Sequence, residues 1–151
     1  MRLLPSIVVI SVLALSVSAA PAADPGPEDT VKNYLAALKT GNYGAAYDYI
    51  SKTMARNKSK DEWVKEQQWV MQMSEAKIFD YKVYPAKVEG DKAFVPNVLS
   101  SQDKYLNQLG VEEQELYTLI REDGRWKINQ QQIVEKEDLD KWFPASTGQT
   151  K

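Results

Sequence analysis

The sequence predicts an α+β protein: three N-terminal helices packed on a curved, cone-shaped antiparallel sheet, closed by a short C-terminal helix. Three observations carry this. Apolar residues recur at helical spacing through residues 27–50 and again from Trp63. From Ala76 onward the apolar period drops to two, the signature of half-buried strands. Finally, Glu122-Asp123-Gly124-Arg125 joins two alternating runs through Asp-Gly, a strong hairpin signal.

Residues 27–50 read as two short amphipathic helices broken at Gly41. Val31, Tyr34, Leu35 and Leu38 fall at i, i+3, i+4 and i+7, and Tyr43, Ala46, Tyr47 and Ile50 repeat that spacing, so each helix has one apolar stripe. Thr40-Gly41-Asn42 supplies a C-terminal glycine for the first and an N-cap asparagine for the second. A polar linker follows over residues 51–59. Ser59-Lys60-Asp61-Glu62 is a capping box that opens a third helix running to about Met73. Its apolar residues Trp63, Val64, Trp69, Val70, Met71 and Met73 are interrupted by Gln67 and Gln68.

Phe79, Tyr81 and Val83 alternate with Asp80 and Lys82, which predicts a strand with Asp80 directed away from the aromatic face. Pro85 shifts the phase and predicts a bulge or a sheet edge. Residues 88–92 read as a turn and 93–99 as the next strand, with Pro96 again pointing to an edge. Residues 100–110 read as a long hairpin loop, and 115–121 and 126–134 as the paired strands of the Asp-Gly hairpin. Leu139, Trp142 and Phe143 share one face of a short helix stopped by Pro144. An exposed Trp-Phe pair is an aggregation liability, so this segment is expected to dock on its own chain or on a second copy.

Residues 1–22 read as a signal peptide: Arg2 is the lone cation, residues 7–15 are nearly all apolar, and small residues follow through Ala23. Cleavage fits after Ala19 or after Ala22; an uncleaved membrane anchor is the rival reading, disfavoured by an apolar run shorter than the roughly 20 residues a span needs. The domain is expected over residues 27–143, with a flexible tail over 144–151, in a periplasmic or secreted location and with no membrane partner once the signal is removed. The chain has no cysteine, which excludes a lipid-modified cysteine and disulfides and leaves the core to hold the fold. Four Trp, eight Tyr and three Phe supply the apolar area for that. A length of 151 residues fits one domain. The net charge is −2, and the one basic run, around Arg56 and Lys58, abuts Asp61 and Glu62. It reads as a solvated loop, and no nucleic-acid partner is expected.

Histidine is absent, which removes triads, Cys-His pairs and histidine metal sites and leaves carboxylates, lysine and tyrosine as acid or base groups. The seven glycines are scattered singly and form no phosphate-binding loop. The runs Glu112-Glu113-Gln114-Glu115 and Glu135-Lys136-Glu137-Asp138 lack the spacing of a calcium loop and read as solvated charge. No cofactor, metal site or catalytic residue is assigned. The aromatics either line a hollow between helices and sheet or fill it. Inward glutamines would need partners or ligand, since an unsatisfied buried amide costs about 1–3 kcal/mol. The candidate ligand-binding residues are Tyr34, Tyr47, Trp63, Gln67, Tyr81, Tyr117, Trp126 and Gln130.

Leu38-Lys39-Thr40-Gly41-Asn42-Tyr43-Gly44-Ala45-Ala46-Tyr47 and the hairpin over residues 119–128 resemble the nuclear transport factor two-like (SnoaL-like) cone fold, the superfamily of ketosteroid isomerase and scytalone dehydratase. The resemblance extends over residues 27–134 and is closest to exported members of unknown function. It implies a cone with a ligand hollow and a sheet that often associates. A histidine base of the scytalone dehydratase kind is ruled out by composition. A site of the ketosteroid isomerase kind needs a carboxylate base, a tyrosine and a protonated carboxylic acid. Tyr34 or Tyr47 and Asp80 match by type, but Asp80 is out of phase. The expected function is an exported, non-enzymatic small-ligand-binding or accessory domain using the helix-sheet hollow, its ligand small and apolar or aromatic. The alternatives are an isomerase- or hydratase-like enzyme with carboxylate and tyrosine acid-base chemistry, or a structural subunit that forms a homodimer through its sheet. An inward carboxyl with a raised pKa would favour the enzyme; a filled cone with an apolar outer face would favour assembly.

Overall fold

The computed structural model describes residues 23–144. The predicted signal peptide over residues 1–22 and tail residues 145–151 lie outside the described residues. Helices α1 (Pro27–Lys39), α2 (Tyr43–Tyr47) and α3 (Lys60–Ser74) precede strands β1 (Lys77–Val83), β2 (Lys87–Glu89), β3 (Lys92–Gln102), β4 (Glu112–Glu122) and β5 (Arg125–Ile133). A 3-10 turn, Lys136–Asp138, then leads into α4 (Leu139–Trp142). Among the described residues no helix is long and apolar enough to cross a membrane.

Local chemistry sets the helix ends. Pro27 occupies the first turn of α1, where its missing N–H removes no helical bond, and the Thr30 hydroxyl donates to Gly26 O at 2.9 Å. Gly41 leaves α1 at φ 71, a left-handed conformation that favours glycine. The Asn42 side chain then accepts from Ala45 N at 3.1 Å and caps α2. The predicted capping box is formed, with Ser59 N donating to Glu62 Oε2 at 2.9 Å and Glu62 N donating to Ser59 Oγ at 3.4 Å. The basic linker is tied down as well, since Arg56 and Lys58 both ion-pair with Glu66 of α3.

The sheet runs β1-β3-β4-β5, all antiparallel, with β2 also beside β3. Its inner face carries Ala93, Val95 and Leu99 of β3, Tyr117 and Leu119 of β4, and Trp126 and Ile128 of β5. These pack on Val31 and Leu35 of α1 and on Ala46 and Ile50. The β4–β5 turn places Asp123 at φ 52 and Gly124 at φ 77, the two positive values that a two-residue hairpin of matching twist requires. On the outer face, Trp142 lies 5.5 Å from the Phe94 ring and Phe143 lies 5.3 Å from the Tyr84 ring, edge-on. The C-terminal segment thus docks on its own sheet, where Pro96 and Leu116 are buried.

Several expectations are corrected. The helical spacing runs through Ile50, but α2 stops at Tyr47. Ile50 instead forms a parallel bridge with Ile128, flanked by Ser51 N to Ile128 O and Ile128 N to Tyr49 O, both 2.8 Å. This bridge covers part of the free edge of β5. Phe79, expected inside, is exposed, because a bulge between Ile78 and Asp80 turns it outward. Pro96 is not on an edge: β3 is paired on both sides. Tyr84 N donates to Pro96 O at 2.9 Å, so the imide nitrogen on that same side faces the gap between β1 and β2. Glu115, read as solvated charge, is buried.

Candidate functional site

Two arrangements of side chains stand out. The first is a polar cluster on the inner face of the sheet. Strand alternation places Glu115 on the same side as Tyr117 and Leu119 and opposite Asn97 of β3. Glu115 is 3% exposed. Asn97 Nδ2 donates to its Oε2 at 3.2 Å and Gln131 Nε2 of β5 to its Oε1 at 2.7 Å. Tyr34 of α1 stands edge-on to Tyr117, ring centroids 6.1 Å apart. Asn97 Oδ1 is buried with no hydrogen-bond partner.

Burial pushes the Glu115 carboxyl up to about 7, against the pull of the Gln131 hydrogen bond and with a small push from the charge of Glu113. Burial, reinforced by Glu115, also drives the Tyr34 and Tyr117 hydroxyls above the ordinary phenol range. At neutral pH the cluster therefore holds two neutral phenols beside a carboxyl that can occupy either protonation state. The sequence reading missed Glu115 and Asn97. The signal was the parity of Glu115 with Tyr117 and Leu119, masked by three neighbouring polar residues.

Of the eight residues predicted to bind ligand, Tyr34 and Tyr117 come together in this cluster. Tyr47 and Trp63 form a separate edge-on pair at 5.8 Å between α2 and α3, with the Tyr47 hydroxyl donating to Lys58 O at 2.7 Å. Gln67 is half-buried on α3, and Gln130 is exposed, its amide donating to Gln132 Oε1 at 3.2 Å. Tyr81 is half-buried beside Ser100 and Glu112. Trp126 lies at the opposite end of the sheet under the Arg121 guanidinium, 4.3 Å from the ring centroid, and borders a hollow of about 380 Å³ with Tyr49 and Arg125. The eight do not converge on one cavity.

The second arrangement is an apolar end. The starts of β1 and β4, the ends of β3 and β5, and the C-terminal end of α3 meet at one end of the molecule, bridged by Lys104 N donating to Ser74 O at 3.0 Å. The principal neighbour of α3 is α2, and Trp63 is its only buried residue. Trp69, Val70 and Met73 on the last turns of α3 are therefore left exposed. Of ten exposed large apolar side chains among the described residues, all but Val88 lie on these segments or on the loop over residues 103–111 that joins β3 to β4. Trp69, Val70, Met73, Ala76, Tyr105 and Leu106 line a hollow of about 450 Å³. Leu106 is 94% exposed and Leu109 90%. Among the described residues no cluster of three or more acidic, histidine or cysteine side chains is arranged to hold a metal ion.

A family model described as Domain of unknown function (DUF4878) matches residues 20–129. No curated protein matches the chain. Among solved structures, a ketosteroid isomerase-like protein from Erwinia carotovora atroseptica is 20% identical over 72% of this chain and 94% of that one, TM-score 0.50. A SEC-C motif containing protein from Rhodopseudomonas palustris is 14% identical over 72% and 79%, TM-score 0.54. A domain of unknown function with a cystatin-like fold from Nostoc punctiforme is 13% identical over 78% and 85%, TM-score 0.53. At these identities the similarity shows the cone fold of the nuclear transport factor two-like proteins and nothing further.

Proposed function

The chain belongs to the family described as Domain of unknown function (DUF4878), and within it we propose an exported, non-enzymatic binding or accessory domain that works through its apolar end. One observation carries this reading: the cone interior is packed with Tyr34, Tyr117 and Leu119, while the apolar surface that has no cover is gathered around the α3 hollow. A soluble domain does not keep a contiguous patch of this kind without a use for it. The expected occupant is apolar or aromatic, since Trp69, Met73 and Tyr105 offer ring and thioether surfaces. Anilinonaphthalene sulfonate fluorescence tests the surface: enhancement by the wild type should be lost in Trp69→Ala and Leu106→Asp, and equal enhancement by both variants would refute the reading. N-terminal sequencing after expression with the native leader tests export; a start at Ala20 or Ala23 is expected, and intact Met1 in a membrane fraction would refute it.

A second reading rests on Glu115. A carboxyl held near neutrality beside two tyrosines is suited to acid-base catalysis, and it is the inward group that the enzyme alternative requires. Turnover of an unsaturated-ketone panel that disappears in Glu115→Gln would establish this reading over the first.

A further inference from the structure

The loop over residues 103–111, between β3 and β4, is a built object. The Asp103 carboxylate accepts from the backbone N–H groups of Tyr105, Leu106 and Asn107 at 2.7, 2.7 and 3.1 Å. The buried Asn107 amide donates to Ser101 O and Val111 O at 3.0 and 2.8 Å and accepts from Val111 N at 2.9 Å. These bonds tie down most of the loop, and Leu106 and Leu109 stand exposed on it. A surface ordered in advance loses little entropy when it docks.

Resting on the reading that this end is the binding surface, we infer that its occupant is a second copy of the chain, related by a two-fold axis, with Leu109 of each copy entering the α3 hollow of the other. The area fits. At about 150–250 Å² for an aromatic side chain and somewhat less for an aliphatic one, full cover of Trp69, Val70, Met73, Tyr105, Leu106, Leu109 and Val111 would bury at most roughly 900 Å². A standard interface takes about 800 Å² from each partner.

Shape fits as well, because Leu106 lines the hollow and Leu109 projects three residues further along the same loop. A two-fold axis converts that adjacency into two reciprocal insertions. The rim carries both signs: Glu75 pairs with Lys104 at 3.2 Å, and Lys77 and Asp103 lie beside them. A mixed rim can complement its own copy, whereas an anionic lipid surface calls for a basic one. This contact is distinct from association through the outer sheet face, part of which α4 occupies.

Sedimentation of the full chain over a concentration series tests the inference. A reversible dimer is expected, with Leu109→Asp weakening it about tenfold or more and leaving the melting temperature unchanged at concentrations low enough that both proteins are monomeric. Because the chain has no cysteine, the register can be read directly. A mixture of Leu109→Cys and Met73→Cys proteins should oxidise preferentially to the mixed dimer. A dimer unaffected by Leu109→Asp, or a mixture with no preference for the mixed species, would overturn the proposal. So would a protein that is monomeric throughout. If that monomer still binds the dye through Trp69 and Leu106, the occupant is a small ligand and the binding reading stands. If it instead floats with phosphatidylcholine vesicles, the occupant is a lipid surface. A monomer that does neither refutes both readings.

Discussion

Asn97 and Glu115 face each other across β3 and β4 on the inner face of the sheet, joined by a hydrogen bond of 3.2 Å from the asparagine amide to the glutamate carboxyl. The other carboxyl oxygen takes the Gln131 amide, while Asn97 Oδ1 has no partner. The pair therefore places a titratable group where two protein amides serve it and, among the described residues, no cation forms an ion pair with it.

Stability should consequently depend on Glu115. Its carboxyl is raised from 4.5 to about 7 in the folded protein, so the fold retains a proton that the unfolded chain has released across that interval. Stability is then greatest at the lower end and falls as pH rises from 4.5 to 7, by roughly 3 kcal/mol at full ionisation. Glu62 and Glu66, held low by hydrogen bonds, act in the opposite sense only below 4.5. Urea denaturation at pH 5 and pH 8 checks this. Glu115→Gln should abolish the decline; a decline that persists in the variant would assign it elsewhere.

Trp126→Ala should cost about 3–5 kcal/mol. The side chain is buried on the inner face next to the hairpin turn and is roofed by Arg121. A denaturation midpoint equal to that of the wild type would contradict the packing described.

Truncation after Lys136 should lower stability by about 1–3 kcal/mol, a discount on full burial because Trp142 and Phe143 are only half-buried. It removes the rings packed on Phe94 and Tyr84. Sedimentation of the truncated chain should be unchanged, since α4 docks on its own sheet. Loss of dimer on truncation would show that the segment is exchanged between copies.

Ser59→Ala should cost about 0.5–2 kcal/mol by removing the Ser59 Oγ that accepts from Glu62 N at the start of α3, while the backbone N–H of residue 59 keeps its bond to the Glu62 carboxylate. Thermal unfolding measures it. No change would mean that the helix start is held by the Lys60–Asp48 ion pair at 2.9 Å instead.

The helices, the Asp-Gly hairpin and the cone fold were legible in the sequence because each rests on local chemistry. Glycine and asparagine at positions 41 and 42, the capping box at Ser59 and the Asp-Gly turn act over a few residues, and each appears in the structure where the sequence places it, whereas the strands overrun their predicted ends and β2 occupies residues read as a turn. The eight candidate site residues were chosen by type, and their meeting depends on contacts between residues far apart in the chain. Only Tyr34 with Tyr117, and Tyr47 with Trp63, found one another.

By itself, then, the sequence determined the order of helices before sheet, the turn chemistry at Gly41 and Asp123-Gly124, and the exclusion of histidine and cysteine chemistry. Tertiary structure alone decided three things. A one-residue bulge reversed Phe79, because alternation gives no warning where the register slips. Strand pairing carried Glu115 inside opposite Asn97, where burial rather than composition sets its proton affinity. And the packing of α3 on α2 left Trp69, Val70 and Met73 uncovered beside Leu106, although their apolar character alone reads as core. An apolar residue reports that it favours leaving water; which surface receives it is settled only when distant elements meet.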